Sequence, residues 1–258
     1  MTLTEIFGLA LTAAIAGLIN SVAGGGTILT FPVLLFFGTP AVVANATSTV
    51  ALVIGTAGSI FGFREHMAAI RPWLSRFVPV SIVGGFVGSV LLTRTSDKVF
   101  SHLVPFLILF ATLLFCAQGA FRKLSRRESS ALPTEGRGVW VAVAFQFAVS
   151  VYGGYFGAGI GILMLASLGF LGMADIHEMN ALKNLLGSLI NVVAASWFVA
   201  AGIVDWQKAS VMTVGALAGY YIGARYSQRI PQNQVRGIIM GVGLVISAVM
   251  FIRQFLLA

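Results

Sequence analysis

The chain has 258 residues, of which 58% are hydrophobic and only 9% are charged. A soluble domain carries about 25% charged residues, so this composition leaves almost no material for a soluble domain. The net charge of +8 does not indicate nucleic-acid binding, because the basic residues lie in short loops, where they set orientation against a membrane. We therefore predict an all-α integral membrane protein.

Ten apolar runs follow one another along the chain, and none alternates as a barrel strand would. The second run of each half is too short to cross a bilayer alone, since a spanning helix needs roughly 20 residues. We predict eight long transmembrane helices and two short helices that are broken or re-entrant. The runs are residues 5–22, 27–37, 41–62, 74–92 and 99–119, then 138–156, 160–173, 177–201, 207–225 and 234–256.

The two halves of the chain resemble each other at an offset of 135 residues, without a gap from residue 20 to residue 116. Internal repeats of this kind are common in secondary transporters, whose binding sites lie where the repeats meet. The matched residues include Gly24 and Gly26 with Gly159 and Gly161, Asn45-Ala46 with Asn180-Ala181, and Gly84-x-x-x-Gly88 with Gly219-x-x-x-Gly223.

A polar, basic segment with Pro133 and Gly136 separates the halves. It predicts a cytoplasmic linker at 122–137 between a first transmembrane repeat, 1–121, and a second, 138–258. An odd number of crossings per half places more basic loop residues in the cytoplasm than an even number does. The favoured model therefore has inverted repeats, with both termini outside the cytoplasm.

Each short run follows a glycine cluster, Gly24-Gly25-Gly26 in the first half and Gly157-x-Gly159-x-Gly161 in the second. Glycine allows the backbone to leave a helix, and the next helix then begins with exposed N–H groups that favour an anion. The alternative is that these glycines only allow close helix packing. Packing is the favoured interpretation for Gly84-x-x-x-Gly88 and Gly219-x-x-x-Gly223.

Lys183 is the one Lys or Arg that lies more than three residues from either end of an apolar run. An ionisable group at the bilayer centre usually faces a cavity or a partner. Polar residues recur around it at helical spacing, so they share one helix face that could line a pocket with the polar face of the first half. The alternative is that Lys183 reaches the nearby membrane surface. The two faces are Asn180, Lys183, Asn184, Gly187, Ser188 and Asn191, and Asn45, Ser48, Thr49, Thr56 and Ser59.

These patterns predict an anion site between the halves, with charge from Lys183 and hydrogen bonds from backbone N–H groups and polar side chains. No catalytic, metal or cofactor site is predicted, since the chain has one cysteine, Cys116, and lacks HExxH, P-loop and nucleophile-elbow motifs. The predicted substrate-binding residues are Asn20, Ser21, Gly24, Gly25, Gly26, Thr27, Asn45, Thr47, Ser48, Tyr155, Gly157, Gly159, Gly161, Asn180, Lys183 and Asn184.

The chain resembles the sulfite exporter TauE/SafE family, also called the toluene sulfonate uptake permeases, over nearly its whole length. The motifs that carry the resemblance are GLINSVAGGGT at 17–27, FP at 31–32, ANATS at 44–48, GAGIG at 157–161 and NALKN at 180–184. The resemblance implies a multi-pass permease of the bacterial inner membrane for sulfite, sulfonates or related sulfur-containing anions.

We therefore expect a non-enzymatic, secondary-active permease that works in the lipid bilayer without a cofactor or a nucleic acid. The sequence leaves open whether protons are the coupling ion or the anion runs down its own gradient. It also leaves open the direction of transport and the oligomeric state. The alternatives are a passive anion channel and a permease for a non-sulfur organic anion. An intramembrane enzyme would need a paired acid and base, and Lys183 alone does not supply one.

Overall fold

The computed structural model describes residues 1–22, 25–58, 67–125, 137–170, 173, 176–226 and 232–255. Within these residues the regular structure is entirely helical, in agreement with the predicted class. The ten helices are α1 (Leu3–Val22), α2 (Thr27–Phe36), α3 (Ala41–Gly58), α4 (Met67–Arg94), α5 (Asp97–Ser125), α6 (Arg137–Tyr155), α7 (Ile160–Phe170), α8 (Ile176–Ala200), α9 (Trp206–Tyr226) and α10 (Gln232–Phe255). Most of the predicted linker, 122–137, lies outside the described residues.

Four helices of the described part are long and apolar enough to cross a membrane. Their apolar segments are Leu3–Ser21, Trp73–Arg94, Asp97–Leu114 and Glu178–Ala200. Other apolar helical segments are shorter, among them Ala41–Thr56 and Trp140–Tyr155. Large apolar side chains such as Phe106, Val214 and Trp140 are exposed on the outer faces of these helices. Such an exterior suits lipid rather than water, so the chain is a multi-pass membrane protein.

Two short helices follow interruptions of the preceding helices. α2 has 10 residues and α7 has 11. At 1.5 Å per residue each is about 15 Å long, half the thickness of the hydrocarbon core. We call the interval between α1 and α2 the first break and the interval between α6 and α7, residues 156–159, the second break. The helices are therefore interrupted at both glycine clusters, as predicted.

Glycine backbone geometry forms both breaks. Gly25 has a φ of 97° in the first break, and Gly157 and Gly159 have φ values of 80° and 79° in the second. Other residues rarely adopt these angles, because a Cβ atom would approach the following carbonyl oxygen. Gly24 lies outside the described residues.

The halves are interleaved rather than separate. α1 of the first half packs along α9 of the second, and α4 packs along α6. Added Cβ atoms at Gly17, Gly88 and Gly219 would collide with the backbones of Ala216, Val151 and Ala14. The packing role predicted for the two Gly-x-x-x-Gly pairs is thus confirmed, since the missing side chains let the helix backbones approach closely.

Several of the remaining helix contacts occur in matching pairs. α3 packs against α9 while α8 packs against α4, and α2 packs against α10 while α7 packs against α5. α3 also packs against α8, and α5 against α10. In each matched pair of contacts, the helix numbers of one contact differ by five from those of the other. α3 and α8, which carry the two predicted polar faces, meet at the interface between the halves.

Candidate functional site

The first break is fixed by the side chain of Asn20, in the last turn of α1. Its Oδ1 accepts a hydrogen bond of 2.7 Å from the N–H of Gly26, and its Nδ2 donates over 2.9 Å to the hydroxyl of Tyr220 on α9. A Cβ at Gly26 would lie 2.7 Å from the carbonyl oxygen of Ala16. Asn20 therefore positions the N-terminus of α2 and ties it to the second half.

A buried pair of hydroxyls joins α2 to the polar face of α3. The Oγ atoms of Thr30 and Ser48 lie 2.6 Å apart, and both residues are fully buried. Thr30 also donates to the carbonyl oxygen of Gly26 over 3.2 Å, so Ser48 is the donor to Thr30. This chain of bonds holds the predicted site residue Ser48 beside the first turn of α2.

The second break is held by its own polar contacts. The hydroxyl of Tyr152 donates to the carbonyl oxygen of Ala158 over 2.7 Å. A Cβ at Gly157 would lie 4.0 Å from Oδ1 of Asn191 and 3.0 Å from the carbonyl oxygen of Gly153. The polar face of α8 therefore comes near Gly157 through Asn191.

Lys183 lies against the first turn of α7, just after the second break. Its Cδ is 3.3 Å from the position that a Cβ of Gly161 would occupy. Its ammonium group donates to Oδ1 of Asn180 over 3.3 Å. The two ion pairs found in the described part of the chain belong to Lys208, so no described carboxylate neutralises Lys183. Its positive charge adds to the partial positive charge at the N-terminus of α7.

Asn45 connects α3 of the first half to the second break. Its Nδ2 donates to the carbonyl oxygen of Tyr155, the last residue of α6, over 3.0 Å. Asn45 is 1% exposed, and its Oδ1 has no hydrogen-bond partner among the described residues. The second break is thus flanked by Asn45 at Tyr155 and by Lys183 at Gly161, from opposite halves of the chain.

Two of the predicted residues, Ser21 and Thr47, have contacts that hold helices or loops. Ser21 donates to the carbonyl oxygen of Leu18, and its hydroxyl contacts Gly223 in the α1–α9 interface. Thr47 is fully buried and accepts from the N–H of Asp205, before α9, over 3.0 Å. Thr27 begins α2 and is half-buried, and so is Asn184 on α8.

Two contributors to these contacts escaped the sequence analysis. Thr30 lies four residues after Gly26, a helical spacing that could have revealed it. Tyr220 lies inside the Gly219-x-x-x-Gly223 segment that we assigned to packing, and its ring covers Gly55 of α3. Nothing in the local sequence distinguishes Tyr220 from a packing residue, because its bond to Asn20 spans 200 positions.

A separate ionic cluster lies at the start of α9. The ammonium group of Lys208 is 3.1 Å from a carboxylate oxygen of Glu5 and 3.9 Å from one of Asp205. It also donates to Thr39 over 2.9 Å and to the carbonyl oxygen of Phe37 over 3.4 Å, at the C-terminal end of α2. The cluster neutralises Lys208 and ties together three parts of the chain, so it is structural.

A second polar cluster lies between α4 and α6. Nε2 of Gln146 donates to the hydroxyls of Ser81 over 2.9 Å and Ser150 over 3.3 Å, and all three residues are buried. Ser150 also donates to the carbonyl oxygen of Gln146 over 2.6 Å. Interhelical bonds of this kind hold membrane helices together.

Multiple apolar helices, interrupted helices and a half-buried lysine without a carboxylate partner among the described residues are features expected of a membrane transporter. The sulfite exporter TauE/SafE family model matches residues 9–250. The chain belongs to this family, and the predicted resemblance is confirmed. No solved structure matches the chain.

Several curated bacterial proteins are similar to the chain over nearly its whole length. A probable membrane transporter protein of Haemophilus influenzae is 25% identical over 93% of this chain and 92% of its own length. The probable membrane transporter protein YfcA of Escherichia coli is 26% identical over 92% and 86%, respectively. YunE of Bacillus subtilis, also named a probable membrane transporter protein, is 24% identical over 90% and 91%. All three relatives are thus named as probable membrane transporters.

Proposed function

We propose that the protein is a secondary-active permease of the bacterial inner membrane for small sulfur-containing anions, with sulfite and sulfonates as the leading class. The anion binds between two inverted repeats, beside the glycine breaks. The observation that carries the proposal is Lys183, a half-buried cation without a described carboxylate partner at the N-terminus of a short interrupted helix. Both features attract an anion, and neither is needed for packing alone.

The repeat model has support from helix packing. Contacts between α1 and α9 have their counterpart between α4 and α6, as expected if α1–α5 and α6–α10 are two copies of one unit. In inverted repeats the helix before the first break enters the membrane from one side. The helix before the second break enters the membrane from the opposite side. Eight crossing helices and two short helices that do not cross complete the proposed topology, with 122–137 in the cytoplasm.

The other predicted residues contribute to the proposed anion site in two ways. The backbone of Gly25, Gly26, Gly157, Gly159 and Gly161 presents or shapes the helix N-termini. Asn20 and Ser48 hold the first turn of α2, while Asn45, Asn180 and Tyr155 supply polar groups around the second break and α8. Protons are the proposed coupling ion.

The test is flux through purified full-length protein in liposomes. Vesicles preloaded with unlabelled sulfite are expected to accumulate radiolabelled sulfite faster than empty vesicles, because a permease exchanges its bound anion across the membrane. Benzenesulfonate and acetate serve as a related and an unrelated competitor. Flux without such acceleration would indicate a passive anion channel, and equal inhibition by acetate would indicate an organic-anion permease.

A further inference from the structure

The side-chain oxygen of Asn45 is a buried acceptor without a donor among the described residues. The bond from Nδ2 to the carbonyl oxygen of Tyr155 fixes the amide orientation, because turning the amide over would place two oxygens against each other. Oδ1 is then left buried and unpaired. Buried polar atoms nearly always have a partner, so this one requires an explanation.

The neighbouring hydroxyls already form other bonds. Thr49 donates to the backbone carbonyl oxygen of Asn45 over 2.9 Å. Ser48 pairs with Thr30, and Thr47 accepts from the N–H of Asp205. A donor taken from this group would cost an existing bond, so a donor from outside these side chains, such as a bound ligand, would satisfy Oδ1 without that loss.

The position of Asn45 determines which ligand atoms fit. Its amide lies against the carbonyl of Tyr155 at the C-terminus of α6, where the helix carries a partial negative charge. A ligand oxygen without a hydrogen would be repelled by both oxygens. On the other side of the second break, Lys183 and the N-terminus of α7 offer the opposite polarity.

We propose that the preferred substrate within the proposed class is a protonated oxoanion, hydrogen sulfite rather than a sulfonate, whose O–H group donates to Oδ1 of Asn45. This inference rests on the proposed function as an anion permease. The proton then crosses the membrane on the substrate, and no carboxylate of the protein is needed to carry it. Asn45 becomes a residue that selects the protonation state of the anion.

Ionisable groups of the protein also reach the elements around α3, and their titration must be separated from that of the ligand. Asp97 accepts from the N–H of Val42, and Lys208 contacts Thr39 just before α3. The groups to be controlled for are Glu5, Asp97, Lys183, Asp205, Lys208 and Tyr220. The affinity for an anion that cannot be protonated in the same pH range changes only with the titration of these protein groups, so this anion is the control for all of them together.

The experiment compares two anions on the full-length wild-type protein over a series of pH values. Sulfite exchanges a proton with hydrogen sulfite in this range, whereas methanesulfonate stays a monoanion without an O–H group. Above the pKa of hydrogen sulfite, the apparent affinity for total sulfite is expected to fall by about tenfold per pH unit relative to that for methanesulfonate. The same pH dependence for both anions would overturn the inference. Binding of neither anion would instead overturn the proposed function.

A substitution then locates the effect at Asn45. In Asn45→Leu, which removes the acceptor at similar size, the preference for hydrogen sulfite over methanesulfonate is expected to fall by about three- to tenfold. Asn45→Gln, which keeps both the amide donor and the acceptor oxygen, should retain more of the preference than Asn45→Leu. An unchanged preference in a folded Asn45→Leu protein would overturn the inference. Anion binding that depends on sodium in the wild-type protein and is abolished by Asn45→Leu would also overturn it. If Asn45→Leu does not fold, the wild-type protein is tested below the pKa of hydrogen sulfite, where both anions are monoanions: tighter binding of hydrogen sulfite is expected, and equal affinities would overturn the inference.

Discussion

The amide of Asn20 donates to the hydroxyl of Tyr220 over 2.9 Å, although 200 positions separate the two residues. The other end of the same amide accepts from the N–H of Gly26. One side chain therefore couples the start of α2 to α9. Because the ring of Tyr220 also covers Gly55 of α3, three helices of the first half and one of the second meet at this point.

Tyr220→Phe should loosen the first break without opening a cavity. The ring remains on Gly55, but Nδ2 of Asn20 loses its acceptor, which costs about 1–3 kcal/mol for a group left unpaired. We expect a lower melting temperature and weaker anion binding. Tyr221→Phe is the matched control, since Tyr221 is 67% exposed on the same helix. Equal effects of both substitutions would contradict the role of the Asn20–Tyr220 bond.

The glycines of the two breaks should tolerate alanine poorly. Gly25 and Gly159 have positive φ values, where a Cβ costs roughly 1–2 kcal/mol. Around Gly159 the nearest atom to a new Cβ is 3.6 Å away, so backbone strain rather than collision would be measured there. We expect Gly25→Ala and Gly159→Ala to fold and to bind the anion more weakly.

Gly241→Ala provides the comparison for these two variants. Gly241 lies on α10, and nothing lies within 4 Å of a Cβ at this position. Alanine there should leave the melting temperature unchanged or raise it, since alanine favours a helix over glycine by about 1 kcal/mol. Unaltered affinity in folded Gly25→Ala and Gly159→Ala proteins would return these glycines to a packing role.

Local patterns were sufficient to predict most of the fold. Runs of apolar residues located the ten helices to within a few positions at most ends, because a helix in lipid satisfies its own backbone hydrogen bonds and needs apolar side chains along its length. The glycine clusters located both interruptions, since φ values near 80° exclude other residues. The Gly-x-x-x-Gly spacings located the close helix contacts. All of these predictions depend on residues that are close to one another in the sequence.

The site was harder to predict because its contacts join distant segments. The prediction of Asn45 as a site residue rests on its polarity on an apolar helix. Its partner Tyr155, however, lies 110 positions away on the other half. Thr47 carried the same signal, yet its hydroxyl binds the N–H of Asp205, 158 positions away. Polarity alone cannot distinguish these two roles. Only the interleaving of the halves decides which polar residues approach a break.

The inverted topology predicts that both termini lie outside the cytoplasm while residue 129 lies inside. Replacing Cys116, the single cysteine, by alanine gives a background for labelling. Thr2→Cys and Ala258→Cys should then react with an impermeant maleimide in intact cells, and Ser129→Cys only after the membrane is opened. A C-terminus that is protected in intact cells would refute inverted repeats and leave parallel ones.

Lys183 provides the most direct test of anion binding. A charge-assisted hydrogen bond is worth about 1.5–3 kcal/mol. Lys183→Ala should therefore weaken anion binding by roughly ten- to a hundredfold, since each 1.4 kcal/mol is a factor of ten. Lys183→Arg should do less harm, because it keeps the charge while changing its shape. Calorimetry at one pH measures the anion affinity of the wild type, Lys183→Ala and Lys183→Arg.

Lys98→Ala is the control for a general loss of positive charge, because Lys98 is exposed at the start of α5. Its affinity should equal that of the wild type. The aliphatic part of Lys183 also packs against Gly161, so Lys183→Met separates the two contributions. Methionine keeps most of this packing, and its affinity should fall as far as that of Lys183→Ala if charge is the cause. Wild-type affinity in Lys183→Met would leave the helix N-termini as the anion-binding element.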